Sequence, residues 1–177
     1  MQRNSTRLIL VSALVAPVFL LSACGFYLKG QRPASKNLQS VSVRVERPYR
    51  VGDPALVMAL KNRLRAQDKW VDKGAETRIQ IKDIQNLSRT LSISPIDGRV
   101  SEVELEASAQ FSISHNGEPL VTAQRLSVRR AYSFDNTERL ASEAEQDDLI
   151  ATMQTELADL ILLRAETALT QAQISEK

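Results

Sequence analysis

At 177 residues, with 43% of them hydrophobic, the chain suits one compact domain and excludes both intrinsic disorder and two domains of ordinary size. Its 23 basic residues exceed its 21 acidic ones only because Arg3 and Arg7 lie in the first 23 positions, where there is no acid. From residue 24 onward the two signs balance, so charge gives no reason to expect nucleic acid as a partner.

The first segment has the charged, apolar and small-residue regions of a secretory signal peptide in order. Arg3 and Arg7 precede an apolar run from Leu8 to Leu21, and Leu21-Ser22-Ala23-Cys24 follows. The run is short for a membrane span and carries Pro17, which argues against a transmembrane helix. Cys24 is the only cysteine, and an unpaired thiol in an exported protein is a liability unless it is modified. We therefore expect residues 1–23 to be a lipoprotein signal peptide and Cys24 to be the lipidation site. It would carry a diacylglycerol and an amide-linked acyl chain, with no other cofactor. Two or more long chains give stable anchoring.

Residues 24–37, with Gly25, Gly30 and Pro33, have no periodicity and suit a lipidated tether. The main domain is expected over 38–170, with 171–177 as a C-terminal tail. Leu38, Val41, Val43 and Val45 alternate with polar residues as a first strand. Asp53-Pro54 predicts a helix start, with the Asp53 carboxylate as cap and proline at the first helical position. Leu56, Val57, Leu60 and Leu64 then follow at helical spacing, and the helix should end near Gln67.

A second strand starts at Thr77 through Ile79 and Ile81 and continues to Leu91 and Ile93, with a bulge expected between Ile84 and Leu87. Asp97-Gly98 signals a hairpin turn. The third strand has the strictest pattern in the chain. Val103, Leu105, Ala107, Ala109, Phe111 and Ile113 lie on one face, and Glu102, Glu104, Glu106, Ser108, Gln110 and Ser112 on the other. One buried and one wet face argue for antiparallel pairing. Asn116-Gly117 marks a second hairpin, and the return strand from Leu120 to Ser133 changes phase near Arg125. Ser142-Glu143-Ala144-Glu145 has capping-box form and opens a helix to about Thr170, with Leu149, Ile150, Met153, Leu157, Leu160 and Ile161 as its apolar stripe. The order β-α-β-β-β-α predicts an α+β two-layer sandwich, in which two amphipathic helices cover one face of a mostly antiparallel four-stranded sheet.

Catalytic chemistry is not visible in this sequence. His115 is the only histidine and sits beside the Asn116-Gly117 turn, where it is expected to be solvated. One histidine and one cysteine cannot make a usual zinc site, and no metal is expected. No serine lies in a nucleophile elbow and no glycine loop cradles phosphate. The reading is a binding or assembly protein, not an enzyme.

Cys24-Gly25-Phe26-Tyr27-Leu28-Lys29-Gly30, Leu60-Lys61-Asn62-Arg63-Leu64-Arg65, the Asp97-Gly98 hairpin and Glu145-Gln146-Asp147-Asp148-Leu149-Ile150 together resemble the LPS-assembly lipoprotein family. The resemblance implies an outer-membrane lipoprotein facing the periplasm, lodged largely in the lumen of the large β-barrel LPS-transport protein. It would plug and help assemble that barrel, and assist LPS insertion by binding LPS. The basic positions implicated in the family fall here at Ile96 and about Ser142, neither of them basic. Arg99 and Arg139 lie close by, and Arg89, Arg129 and Arg130 are further candidates for LPS phosphates. The alternative from a different class is a free-standing outer-membrane lipoprotein, acting as an envelope scaffold or peptidoglycan-binding module.

Overall fold

A computed structural model describes residues 38–46, 52–134, 137 and 139–175, excluding the side chain of Arg139. The signal peptide, Cys24 and the tether expected over 1–37 lie outside the described residues. The elements run β1 (Val41–Val45), α1 (Ala55–Arg65), β2 (Thr77–Ile93), β3 (Val100–His115), β4 (Glu118–Ser133) and α2 (Arg139–Ser175). The strands form one sheet in the order β1-β2-β3-β4. The three long strands are an antiparallel meander, whereas β1 pairs parallel to β2 from Val41↔Thr77 to Val45↔Ile81. The sheet is therefore mixed. A parallel neighbour requires a crossover, which α1 supplies.

The apolar row of β3 is reproduced in full, but on the face expected to be wet Ser108 is also buried, 3% exposed and bonded to Arg125. Val103, Leu105, Ala107, Ala109, Phe111 and Ile113 are all buried. They meet Leu56, Val57, Leu60 and Leu64 of α1 and Met153, Leu157, Ile161, Ala165 and Leu169 of α2 in one core. Both helices lie on this face, α1 beside β1 and α2 along β4 and β3. This is the two-layer α+β sandwich that the pattern predicts. The 37 residues of α2 extend about 55 Å, roughly the length of β4. Three pairs tie the two antiparallel elements together: Tyr132 Oη donates to Gln146 Oε1 at 2.9 Å, Arg130 Nη2 to Glu156 Oε2 at 2.5 Å, and Arg164 Nε to Gln124 Oε1 at 3.2 Å.

Several local expectations are corrected. Pro54 is the N-cap of α1 and no side chain caps it; the Asp53 carboxylate instead accepts from Lys61 Nζ at 2.6 Å. The helix stops at Arg65, because the chain turns through Asp68 at φ 55° to place Trp70 beside Val41. Trp70 lies under the Arg65 guanidinium, 4.5 Å from the ring centroid. β2 is continuous, and its register shifts fall at Ile81/Asp83 and from Thr90 to Ile93, not between Ile84 and Leu87.

The shift in β4 occurs opposite Phe111 to Ile113, just before Arg125, which accounts for the phase change. The Asp97-Gly98 turn is part of a six-residue loop, 94–99. Asn116 and Gly117 are the two-residue turn expected, with φ of 50° and 89°. Helix α2 starts at Arg139, which puts Ser142 inside it and buried, and it continues beyond Thr170. Leu160 is 37% exposed and lies off the apolar stripe, whose place is taken by Ala158, Leu162 and Ala165.

Candidate binding surface

The face of the sheet away from the helices has no covering layer among the described elements. Its side chains come from the second phase of each strand, and their register builds a ladder of ion pairs. Arg125 Nη2 lies 2.6 Å from Asp83 Oδ2, and its Nη1 donates to Ser108 Oγ at 3.1 Å. Glu106 faces Arg129 directly across β3 and β4, with Nε 3.0 Å from Oε2. Arg89 faces Glu104 across β2 and β3, with Nε 2.8 Å from Oε1. Opposite charges in directly facing positions contribute to sheet pairing, though modestly when exposed. The hydrogen bond from Arg129 holds the Glu106 carboxyl below its ordinary value of 4.5, and Glu106 in turn raises Arg129. The three glutamates that alternate along β3 thus lie on the wet face, as their spacing requires.

The β2–β3 loop makes a second, different surface. Ser94 N–H donates to the Arg99 carbonyl at 2.8 Å and Gly98 N–H to the Ser94 carbonyl at 2.9 Å. The Arg99 N–H donates to Asp97 Oδ1 at 3.2 Å. The Ser94 side chain, followed by this N–H, holds the Asp97 carboxyl below the usual carboxylate range. The Arg99 guanidinium is 60% exposed and 3.8 Å from the nearest Asp97 oxygen. Ile96 beside it is 94% exposed. The tip therefore presents a weakly held cation next to a bare apolar side chain.

The candidate arginines do not form one site. Arg89 and Arg129 share the outer face, and Arg99 is at the tip. Arg130 belongs to the helix side, where it is committed to Glu156. The Arg139 side chain lies outside the described residues. Of the two positions indicated by resemblance, Ile96 is exposed and Ser142 is buried. Sequence reasoning missed Arg125 and Asp83 as partners, because two register shifts separate their phase from the strand starts. His115 is not a solvated turn residue: it ends β3, and its Nδ1 lies 3.0 Å from Thr77 Oγ1. Among the described residues no cluster of His, Cys, Asp or Glu could hold a metal, and no helix is long and apolar enough to cross a membrane.

This architecture is shared with known proteins. Residues 38–165 match the family described as LptE, lipopolysaccharide-assembly. The chain belongs to the LptE family. A curated relative, the LPS-assembly lipoprotein LptE of Pectobacterium atrosepticum, is 27% identical over 154 residues, which cover 85% of this chain and 80% of the relative. The crystal structure of the rare lipoprotein B from Shewanella oneidensis superimposes with a TM-score of 0.62 at 23% identity, over 77% of this chain and 99% of that one. The solution structure of a lipoprotein B from Nitrosomonas europaea also gives 0.62, at 26% identity over 86% and 96%. Membership in LptE places the chain in lipopolysaccharide assembly and the fold among lipoproteins of this kind.

Proposed function

We propose that this LptE-family member is a non-catalytic outer-membrane lipoprotein, moored through lipid on Cys24, that plugs and helps assemble the β-barrel LPS translocon. In this reading residues 1–23 are removed and residues 24–37 connect the lipid to the α+β domain. The body sits in the barrel lumen, facing the periplasm, and assists LPS insertion by binding LPS.

The observation that carries LPS contact is the hairpin tip. An acylated, phosphorylated sugar calls for a cation beside apolar surface, and Arg99 with Ile96 supplies both at one exposed turn. Arg89 and Arg129 would extend the phosphate-binding surface along the outer face by exchanging a carboxylate partner for a phosphate. Arg130, on the helix side and paired across to α2 with Glu156, would likewise have to leave its carboxylate partner to contact LPS. Arg139 stands with Arg99 as a candidate from sequence alone. A polar, ion-paired outer face also suits a body surrounded by a water-filled lumen.

Affinity purification of the full lipoprotein from detergent-solubilised envelopes, followed by mass spectrometry, tests the plug. Recovery of one large barrel protein is expected, and a protein that purifies alone would contradict it. For LPS, Arg99→Glu combined with Ile96→Asp should weaken capture of LPS on immobilised protein. Equal capture by wild type and variant would remove the tip from the site.

A further inference from the structure

Among the described residues, β1 covers only the first five of the seventeen residues of β2. β1 reaches only Ile81, and the last described hydrogen bond to that edge runs from Glu46 N–H to the Ile81 carbonyl at 2.9 Å. On its other side β2 stays paired with β3 as far as Ile93. From Gln85 to Leu91 seven consecutive residues are exposed. Half of the backbone groups in this stretch therefore face away from β3 with no described strand to receive them.

Such an edge invites pairing, and proteins ordinarily blunt it with lysine, proline or an inward charge. Gln85-Asn86-Leu87-Ser88-Arg89-Thr90-Leu91 has no lysine and no proline. Its one charge, Arg89, is already matched by Glu104 at 2.8 Å. The outer row of this edge offers Leu87, 58% exposed. The row on the helix side offers Asn86, Ser88 and Thr90, hydroxyl and amide groups at strand spacing. Behind it Gln154, 3% exposed, donates Nε2 to Asn86 Oδ1 at 2.7 Å, and its Oε1 has no partner among the described residues. This polar row faces the helix layer, where a buried face would be expected to be apolar.

We propose that the edge Gln85–Leu91 is a strand-addition site for an extended, uncharged segment of the barrel partner. A glycolipid has no row of N–H and C=O groups at strand spacing, so lipid would leave this edge unsatisfied. A second extended backbone satisfies it along its whole length. The segment would present an apolar side chain beside Leu87 and Ser, Thr, Asn or Gln side chains beside Asn86, Ser88 and Thr90. The proposal rests on the barrel reading for the source of the strand, and adds to it the surface and mode of contact.

The test uses the full lipoprotein in cells, with a photo-crosslinking amino acid in turn at Asn86, Ser88 and Thr90, and mass spectrometry of the adducts. The expected result is a set of adducts within one short barrel segment, stepping about two residues for each two-residue move along β2. Adducts to a second copy of the chain, adducts without that step, or none from any of the three positions while the barrel co-purifies would each overturn strand addition and leave the plug standing. Absence of the barrel from the complex would overturn the plug and, with it, the source of the strand. As a second reading, Ser88→Lys should abolish the adducts from Asn86 and Thr90 with unchanged circular dichroism; their persistence would count against the proposal.

Discussion

Glu106 and Arg129 show what a single rung of the outer face contributes. The two residues face each other in the β3–β4 register, and the hydrogen bond keeps the Glu106 carboxyl ionised to lower pH than an isolated glutamate. A depressed carboxyl stabilises the fold above its ordinary value of 4.5 and loses that contribution as pH falls through the folded value. A carbon-detected NMR titration should place the Glu106 midpoint below 4.5 in the wild type and move it upward in Arg129→Gln. An identical midpoint in both proteins would mean that the pair is not maintained in solution. Below the midpoint the rung keeps its guanidinium and loses its carboxylate, so the outer face becomes more cationic in acid. The identity of such partners was only half visible in the sequence. The glutamates show themselves by strict alternation along β3, but their arginines depend on register. Register in turn depends on shifts near Lys82 and Leu91 that no local pattern marks, and on one near Thr122 that shows only as the change of phase near Arg125.

At the scale of elements, β3 was the most legible because it is a central strand with one dry and one wet face, so burial imposes the pattern directly. Phe111 at its centre is fully buried between the helices and the sheet. Phe111→Ala should cost about 3–5 kcal/mol in urea unfolding, and a cost under about 1 kcal/mol would show that the layers close over the gap. Helix ends were less legible than helix cores. Asp53 carries the side chain of a cap, yet Lys61 one helical face away takes its carboxylate. Ser142 has the form of a capping box, but the helix has already begun at Arg139 and covers it. The exposed half of β2 was legible as a strand but not as an open edge, because nothing in its own residues states how far β1 extends.

For the whole molecule, the core begins at Leu38 among the described residues and closes between one sheet face and two helices. The proposed lipid anchor at Cys24 is expected to set where the protein sits and not how stable its domain is. Cys24→Ala should leave the thermal midpoint of the domain unchanged by circular dichroism while moving the protein from the membrane to the soluble fraction. A lowered midpoint, or retention in the membrane, would contradict this separation of anchor from body. The α+β layering was available from the order of periodicities alone, since one apolar sheet face and two amphipathic helices have few ways to combine.

The one-sided layering also divides mutational freedom along each central strand. Alternate residues of β3, from Val103 to Ile113, answer to interior packing and tolerate little. Of their immediate neighbours, Glu102, Glu104, Glu106, Gln110 and Ser112 face outward and answer to cross-strand partners and to what lies outside, whereas Ser108 is itself buried. Drift at the outward-facing positions can retune recognition one residue at a time, with little cost to the thermal endurance of the body.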